Sequence, residues 1–211
     1  MRAGFHADLD RVNATLVEMA DGATDAMRTA SRCLLSADAD LAQQVIDGDE
    51  AINVRYRAVE EQLSELLARQ SPVAGDLRLV VAALDAAGDL ERMGDLAVHV
   101  ARTAQRRAPD SALVPEVRSI VTAMSECTCR IGEKVTRVLR TTDATVAAEL
   151  ENDDDAIDSL ERELFSVLLE PGWPHGVAPA IDAAQLGRWY ERFADHSVNA
   201  GRRVIYFVTG T

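Results

Sequence analysis

The chain has 211 residues, and its 22 basic and 35 acidic side chains give a net charge of −13 at pH 7. This charge excludes nucleic acids and anionic membrane surfaces as favourable partners. Apolar residues make up 47% of the sequence and aromatic residues only 4%, while glycine and proline are few, which favours long helices over sheets.

Three runs of helical periodicity fill the first half of the chain. Apolar residues recur at three- and four-residue steps over 12–34, 41–67 and 77–107. Ser36-Ala37-Asp38 separates the first two runs. Ser71-Pro72 is expected to supply the N-cap and the first-turn proline of the third helix. The sequence therefore predicts three helices in about the first 107 residues.

The second half repeats this plan with runs over 117–139, 146–168 and 186–208. Asp110-Ser111 is expected to start the fourth helix, and Thr141-Thr142-Asp143 is expected to cap the fifth. The breaker cluster at 171–176, which reads PGWPHG, separates the fifth helix from the sixth.

Two internal matches indicate a duplication. The stretch Glu91–His99 and the stretch Glu191–Asn199 both read E-R-x-x-D-x-x-V-[HN], one hundred positions apart. Asp49–Asn53 matches Asp154–Asp158 at an offset of 105. The sequence predicts an all-α protein of six long helices, arranged as two tandem antiparallel three-helix bundles at 1–107 and 108–211.

The repeated motif places acidic residues along one side of a helix. Glu91, Asp95 and His99 are spaced four residues apart and form one stripe, as do Glu191, Asp195 and Asn199 in the second copy. Like charges at this spacing destabilise an isolated helix by a few tenths of a kcal/mol, so both stripes require a compensating cation.

The third helix is expected to turn acidic on its core-facing side. Its first large apolar residues share one arc that is expected to face the core: Leu77, Val80, Val81 and Leu84. Glu91 and Asp95 fall on the continuation of this arc. Carboxylates buried without a partner cost several kcal/mol or take up protons, so a partly exposed site between helices fits both motif copies.

The second helix of each half supplies further oxygen ligands. Asp154 and Asp158 form an i,i+4 pair, and Asp49 with Asn53 is the first-half counterpart. Three or four carboxylates between two helices make a hard-oxygen site for iron, manganese, magnesium, calcium or zinc. In the alternative interpretation, Arg92, Arg192 or Arg202 neutralises the carboxylates and no metal binds.

Other motifs argue against enzymes and membrane spans. The sequence has no Glu-x-x-His pair, which di-iron carboxylate oxidases of the helical-bundle type require, and no P-loop, GxSxG or HExxH motif. Cys33, Cys127 and Cys129 form no CxxC pair and are expected to be reduced thiols. No secretory signal is apparent, and no apolar run approaches the ~20 residues of a membrane span. A cytoplasmic, non-enzymatic protein is expected.

These residues resemble the PhoU family of phosphate-transport accessory proteins. The stretch Asp89–Val100 is similar to the family pattern D-L-E-R-I-G-D-x-A-x-N-I, and the stretch Arg69–Arg78 is similar to its turn R-Q-x-P-V-A-x-D-L-R. The stretch Glu191–Asn199 is the second copy. The resemblance implies two tandem three-helix bundles that bind multinuclear iron or zinc clusters, with other divalent metals left open.

When the family's ligand positions are matched to this sequence, the resemblance implies a set of metal ligands on the second and third helices of both halves. These are Glu91, Asp95, Glu191, Asp195, Asp49, Asp154 and Asp158, with His99 as an additional candidate. The chain departs from the family pattern at three positions. His99 replaces an asparagine, Asn53 replaces a carboxylate, and Trp189 stands where the first copy has Asp89, so the two sites are expected to differ.

The resemblance also implies a role. Such a protein would act between a phosphate ABC transporter, through its ATPase, and a sensor histidine kinase, and would hold the phosphate-starvation response off when phosphate is plentiful. A metal-free acidic adaptor with salt-sensitive partner binding is the alternative, and a di-metal helical-bundle enzyme is the third hypothesis. Long apolar helix faces and the apolar segment 204–208 are compatible with a homodimer.

Overall fold

The computed structural model describes residues 2–209, except for the side chains of residues 2, 3, 144, 151 and 206–209. Every regular element in this part is a helix. The helices are α1 (Arg2–Ser36), α2 (Ala39–Gly48), α3 (Glu50–Gln70), α4 (Gly75–Arg107), α5 (Pro115–Thr141), α6 (Ala144–Leu168) and α7 (Val177–Thr209). The predicted all-α class and its tandem bundles are confirmed.

The predicted second helix is divided at Asp49. This residue keeps right-handed helical angles, with φ −60° and ψ −34°, and its carbonyl oxygen accepts hydrogen bonds from the Ile52 and Asn53 N–H groups. Because the backbone hardly deviates there, α2 and α3 together take the place of one long helix. The chain thus has the six long helices that the sequence predicts, within the described residues.

Two predicted helix starts are wrong, because the chain uses loops where the sequence suggested caps. Ser71 ends α3 in the left-handed region, at φ 43°, and α4 begins only at Gly75. The fourth long helix, α5, begins at Pro115, in the first turn where a proline N–H is not needed, and not at Asp110-Ser111. The prediction for Asp143 is confirmed, since its side chain accepts a hydrogen bond from the Thr145 N–H.

Four helices form the centre of the molecule. Helix α1 packs on α4 and α5, and α7 packs on α4 and α5, so the two predicted bundles share one continuous core. Helices α2 and α3 cover α1 and α4 on one flank, and α6 covers α5 and α7 on the other. Tyr190 is fully buried here, and its hydroxyl lies 2.9 Å from the Ser31 hydroxyl across the core. The domain boundary at 107/108 stays a prediction.

Helices α4 and α7 run antiparallel across the centre. As the residue number rises along α4 it falls along α7, through the contacts Asp85 with Arg203, Met93 with Ser197, His99 with Trp189, and Arg106 with Asp182. The two copies of the acidic motif are therefore brought to the middle of one face, with α3 on one side and α6 on the other.

The expected core face of α4 is wrong for its large apolar residues. Leu77, Val81 and Leu84 are 42%, 50% and 39% exposed, and of the four residues on that arc only Val80 is buried. The buried face is instead built largely from small side chains, which allow neighbouring helices to approach closely: Ala83, Ala86, Ala87, Ala97 and Ala101. Glu91 and Asp95 therefore lie beside the core rather than on its continuation.

The C-terminal apolar segment reaches the core in part. Val204, which was expected to contribute to a homodimer contact, is only 6% exposed within this chain. The side chains of residues 206–208 lie outside the described residues, and the homodimer stays a prediction. None of the described helices combines the length and the apolar character that a membrane crossing requires.

Candidate metal centres

The first cluster of carboxylates, defined as Asp49, Glu91 and Asp95, lies between the α2–α3 junction and α4. The Glu91 and Asp95 side chains are 21% and 35% exposed. Arg92 lies against both of them. Its Nη1 donates to Asp95 Oδ2 at 2.7 Å, and its Nε is 3.5 Å from Glu91 Oε2. Part of the negative charge in this cluster is therefore balanced by the arginine within the motif.

Gly94 brings Asp49 into the first cluster. A Cβ atom built at Gly94 would lie 3.1 Å from Asp49 Oδ1 and 2.9 Å from Ile52 Cδ1, so a larger residue would push α3 away. Because glycine has no side chain, the Asp49 carboxylate rests against the α4 backbone between Glu91 and Asp95. Asn53 Nδ2 donates to Asp49 Oδ2 at 3.0 Å and fixes its orientation.

The carboxylates of the first cluster act on one another. Burial raises the pKa of Glu91, and the neighbouring Asp95 raises it further, while Arg92 lowers it. Burial is the main cause of the raised pKa of Asp49, and the charge of Asp95 raises it further. The hydrogen bond that Asp49 accepts from Asn53 lowers this pKa. The structure thus brings together residues from the second and third helices, as the sequence predicted for this half.

The second cluster, defined as Asp154, Asp158, Glu191 and Asp195, lies between α6 and α7. Glu191 is only 8% exposed, and burial together with the charge of Asp195 raises its pKa to about 7. Arg188 Nη1 donates to Glu191 Oε2 at 2.7 Å and opposes this change. Burial and the charges of Asp195 and Asp158 raise the pKa of Asp154 to about 6.

One oxygen of the second cluster has no partner. Asp154 Oδ1 is buried, and no hydrogen-bond partner reaches it among the described residues. A buried acceptor without a donor costs about 1–3 kcal/mol, and more when it is charged. The second cluster is thus an incompletely satisfied set of carboxylate oxygens, which is the donor set that hard cations prefer.

The clusters do not form a closed coordination shell as they stand. Across the described part of the chain, no three His, Cys, Asp or Glu side chains surround a single point closely enough to hold a metal ion. The orphaned Asp154 oxygen and the raised carboxyl pKa values still fit a cation, because a cation would satisfy that oxygen and displace the bound protons. Metal ligation by these residues stays a prediction.

His99 has a partner that the sequence did not suggest. Its exposed imidazole ring stacks on Trp189 of α7, with the ring centroids 5.2 Å apart and the planes inclined by 18°. These are two of the three positions at which the chain departs from the family pattern. Their contact gives them a shared packing role between α4 and α7, and the role of His99 as a metal ligand stays untested.

Sequence reasoning missed a charged network beside the clusters. Asp89 is 8% exposed, its Oδ1 lies 3.0 Å from His196 Nδ1, and its Oδ2 lies 2.9 Å from Arg203 Nε. Arg203 also pairs with Asp85. The sequence contained a signal for this network, because Asp89 lies four residues before Met93, on the same side of the helix, and belongs to the stretch Asp89–Val100 that resembles the family pattern.

The chain was compared with known proteins. The PhoU domain family matches residues 16–104 and again residues 121–204. A relative from Mycobacterium leprae, "Phosphate-specific transport system accessory protein PhoU homolog 1", is 44% identical over all of this chain and 95% of its own length. A relative from Mycobacterium tuberculosis, the corresponding "homolog 2", is 44% identical over all of this chain and 99% of its own length.

Solved structures agree with these relatives. The crystal structure of PhoU from Pseudomonas aeruginosa superposes with a TM-score of 0.87 at 30% identity, covering 98% of this chain and 100% of the other. The regulatory protein PhoU from Streptococcus pneumoniae superposes with a TM-score of 0.82 at 23% identity over 98% of each chain, which shows a shared fold. The duplicated motif, the matched family and the relatives lead to one conclusion: this chain belongs to the PhoU family.

Proposed function

We propose that this chain is a cytoplasmic accessory protein of phosphate uptake that negatively regulates the phosphate-starvation response. It acts without catalysing a reaction, by contacting the ATPase of a phosphate ABC transporter and a sensor histidine kinase. The observation that carries the proposal is the match, over the whole chain, to relatives named as accessory proteins of a phosphate-specific transport system.

The carboxylate clusters supply the regulatory element of this proposal. Bound iron or zinc would supply positive charge between the second and third helices of each repeat. In the second cluster, Asp154 and Asp158 would hold it from α6 while Glu191 and Asp195 hold it from α7. In the first cluster, Asp49 would act with Glu91 and Asp95. Each cluster would thereby fix the angle between two helices and keep the surface they form rigid.

Two measurements test the proposal. Deletion of the gene should give constitutive expression from a phosphate-starvation reporter in high phosphate, and unchanged repression would contradict the regulatory role. Metal analysis of protein purified without chelator or affinity tag should detect iron or zinc. Glu91→Ala/Asp95→Ala and Glu191→Ala/Asp195→Ala variants should lose metal and melt at lower temperature. If both variants keep their metal content and stability, the metal sites are refuted.

A metal-free adaptor is the second candidate, and the arginines beside both clusters favour it. Arg92 contacts Glu91 and Asp95, and Arg188 contacts Glu191, so part of the acidic charge is already balanced within the chain. This candidate predicts that no metal co-purifies and that partner binding weakens steeply between 50 mM and 300 mM salt, because exposed ion pairs are screened. Metal analysis and a salt titration separate the two candidates.

A further inference from the structure

The exposed large apolar side chains gather at two equivalent places. We define tip 1 as the turn between α3 and α4 with its flanking helix ends, and tip 2 as the turn between α6 and α7 with its flanking ends. Tip 1 carries Leu67, Val73, Leu77, Val81 and Leu84, and tip 2 carries Phe165, Leu169, Val177 and Ile181. Of the ten large apolar side chains that stand exposed within the described residues, only Val54 lies elsewhere. Such clustering marks an interaction surface.

The tips repeat at the same offset as the acidic motif. Leu77 and Val81 are 42% and 50% exposed, and Val177 and Ile181, one hundred positions later, are 74% and 51% exposed. Each pair begins fourteen residues before its motif glutamate, which is about four helical turns. An apolar side chain left in water contributes little to folding. Because exposed apolar side chains occur at the same positions in both repeats, we attribute them to binding of a partner.

The antiparallel packing of α4 and α7 puts the tips at opposite ends of one face. Near tip 1, Arg203 of α7 pairs with Asp85, which is one turn after Val81. Near tip 2, Arg106 of α4 pairs with Asp182, which follows Ile181 directly. These two ion pairs are separated by twenty-one residues of α4, or roughly 30 Å. The apolar pairs lie beyond them, and the carboxylate clusters lie between.

Arginines flank both tips, although the chain as a whole is acidic. A groove of about 520 Å³ runs beside Leu77 and Val81, and its charged lining comprises Arg78, Asp85, Arg202 and Arg203. At tip 2, Arg106 and Arg107 lie beside Asp182, with side chains that are 53% and 37% exposed. The groove at tip 1 accommodates an apolar segment, and the exposed parts of the arginines at both tips favour acidic flanks beside it. Arg106, Arg107 and Arg203 also pair with aspartates of this chain.

The charge of the chain distinguishes between three possible partners of the tips: a second copy of the chain, an anionic membrane and another protein. A second copy of this chain would add another net charge of −13, so two copies repel each other. An anionic membrane is repelled by the acidic chain as a whole. A protein that offers the same segment twice matches the internal repeat.

We infer that tips 1 and 2 are twin docking elements for a two-fold-symmetric protein partner, each receiving one copy of the same apolar segment with acidic flanks. The inference rests on the proposed accessory role for the identity of that partner. The surface formed by the two tips is separate from the carboxylate clusters. The metal content of the chain therefore does not test whether the tips bind a partner.

The test uses the complete phosphate ABC transporter of the same organism, purified in lipid nanodiscs, as the symmetric probe. The variants are Leu77→Ser/Val81→Ser for tip 1, Val177→Ser/Ile181→Ser for tip 2, and both pairs together. Val54→Ser, at an apolar position that is 52% exposed outside the tips, is the matched control. Since all these positions are exposed, melting temperatures should stay within about 2 °C of the unaltered chain.

The expected result is a loss of affinity of about tenfold or more for either tip, no detectable binding when both are changed, and an unchanged Kd for Val54→Ser. Mass photometry should give one chain per transporter, since one chain spans both halves. Tip variants that bind like the unaltered chain, or two chains per transporter, would overturn the inference.

Two other binding results would also contradict the twin docking elements. Tip-dependent binding to empty nanodiscs that contain phosphatidylglycerol would overturn the inference in favour of a membrane surface. Failure of the unaltered chain to bind the transporter would also overturn it, while the reporter assay decides the regulatory role independently.

Discussion

The first and second carboxylate clusters descend from the same motif but balance their charge differently. In the first cluster, Arg92 contacts both motif carboxylates, and Asn53 donates to Asp49. In the second cluster, the arginine that reaches the glutamate is Arg188, one turn before the motif, and a buried oxygen of Asp154 has no hydrogen-bond partner among the described residues.

This difference shows that the surroundings of the motif decide the strength of a site. Burial raises the pKa of Glu191 to about 7 and that of Asp154 to about 6, whereas Arg92 pairs with both motif carboxylates of the first cluster. A cation relieves the burial penalty and the like-charge repulsion that raise these pKa values, and its binding releases the protons that compete with it. We therefore expect the second cluster to bind metal more tightly than the first.

The largest expected effect is the loss of metal from the second cluster. With metal a hundredfold above its Kd, binding stabilises the folded chain by about 2.7 kcal/mol, so chelation at pH 7.5 should lower the melting temperature by about 5–10 °C. An Asp154→Asn/Glu191→Gln variant should respond to chelation by less than about 2 °C. The matched Glu91→Gln/Asp95→Asn variant should keep most of the response. Equal responses from both variants would contradict the ranking of the clusters.

The pH dependence of the metal-free chain should reveal the same asymmetry. The folded state raises the pKa of Glu191 from 4.5 to about 7 and that of Asp154 from 3.8 to about 6, so it holds these protons more tightly than the unfolded chain. Their contribution is complete below about pH 4 and is lost as the pH rises to about 7. The two pKa shifts would amount to about 6 kcal/mol in full, and solvent screening of these partly exposed carboxyl groups reduces the change to on the order of 2 kcal/mol. Urea unfolding in chelator from pH 4 to pH 8 measures it.

The same variants provide the control for this titration. Asp154→Asn/Glu191→Gln should flatten the fall in unfolding free energy between pH 4 and pH 7, because the amides do not titrate. The first-cluster variant should retain most of the fall. If the unfolding free energy of the unaltered chain does not change between pH 4 and pH 7, ionisation of the second cluster does not destabilise the folded state and the prediction is wrong.

The contrast between the clusters also marks the limit of sequence-based prediction here. Helical periodicity and the repeated motif predicted the six helices and the pairing of Asp49 and Asp154 with the third helix of their own repeat. Burial could not be predicted in the same way, because the core face of α4 is built largely from alanines such as Ala83 and Ala97, which resemble surface residues in a helical pattern. The arc defined by Leu77 and Val81 therefore pointed away from the core.

Partner choice lay beyond the sequence for a related reason. Arg92 and Arg192 are equivalent in the motif, but only the packing of neighbouring helices decides which guanidinium reaches which carboxylate. In the same way, His99 is on the acidic stripe by spacing, yet it lies close enough to Trp189 of the other repeat to stack on it. Contacts between the repeats depend on how the two bundles pack together. The spacing of residues along a single helix does not contain this information.

A substitution at Gly94 should separate the clusters by geometry. Gly94→Ala places a methyl group 2.9 Å from Ile52 Cδ1 and 3.1 Å from Asp49 Oδ1, so it should destabilise the chain by about 1–2 kcal/mol and displace Asp49 from the first cluster. The second cluster, with Ala194 at the equivalent position, should keep its metal. Gly88→Ala is the control, because its Cβ meets nothing within 4 Å and should stabilise α4 by about 0.5–1 kcal/mol. Equal effects of both substitutions on urea unfolding would refute the close approach at Gly94.

The smallest expected effect concerns His99, where the two repeats were expected to differ. His99→Asn restores the residue at the equivalent position 199 and removes the stacking on Trp189, so it should cost about 0.5–1 kcal/mol of stability. Trp189→Asp restores the other equivalent residue and should cost at least as much, while the double variant should cost less than the sum because both changes remove the same contact. Metal content should not change in any of them. Loss of metal from the His99→Asn variant alone would instead establish the imidazole as a ligand of the first cluster, and would mean that the stacked ring turns towards Glu91 when a cation binds.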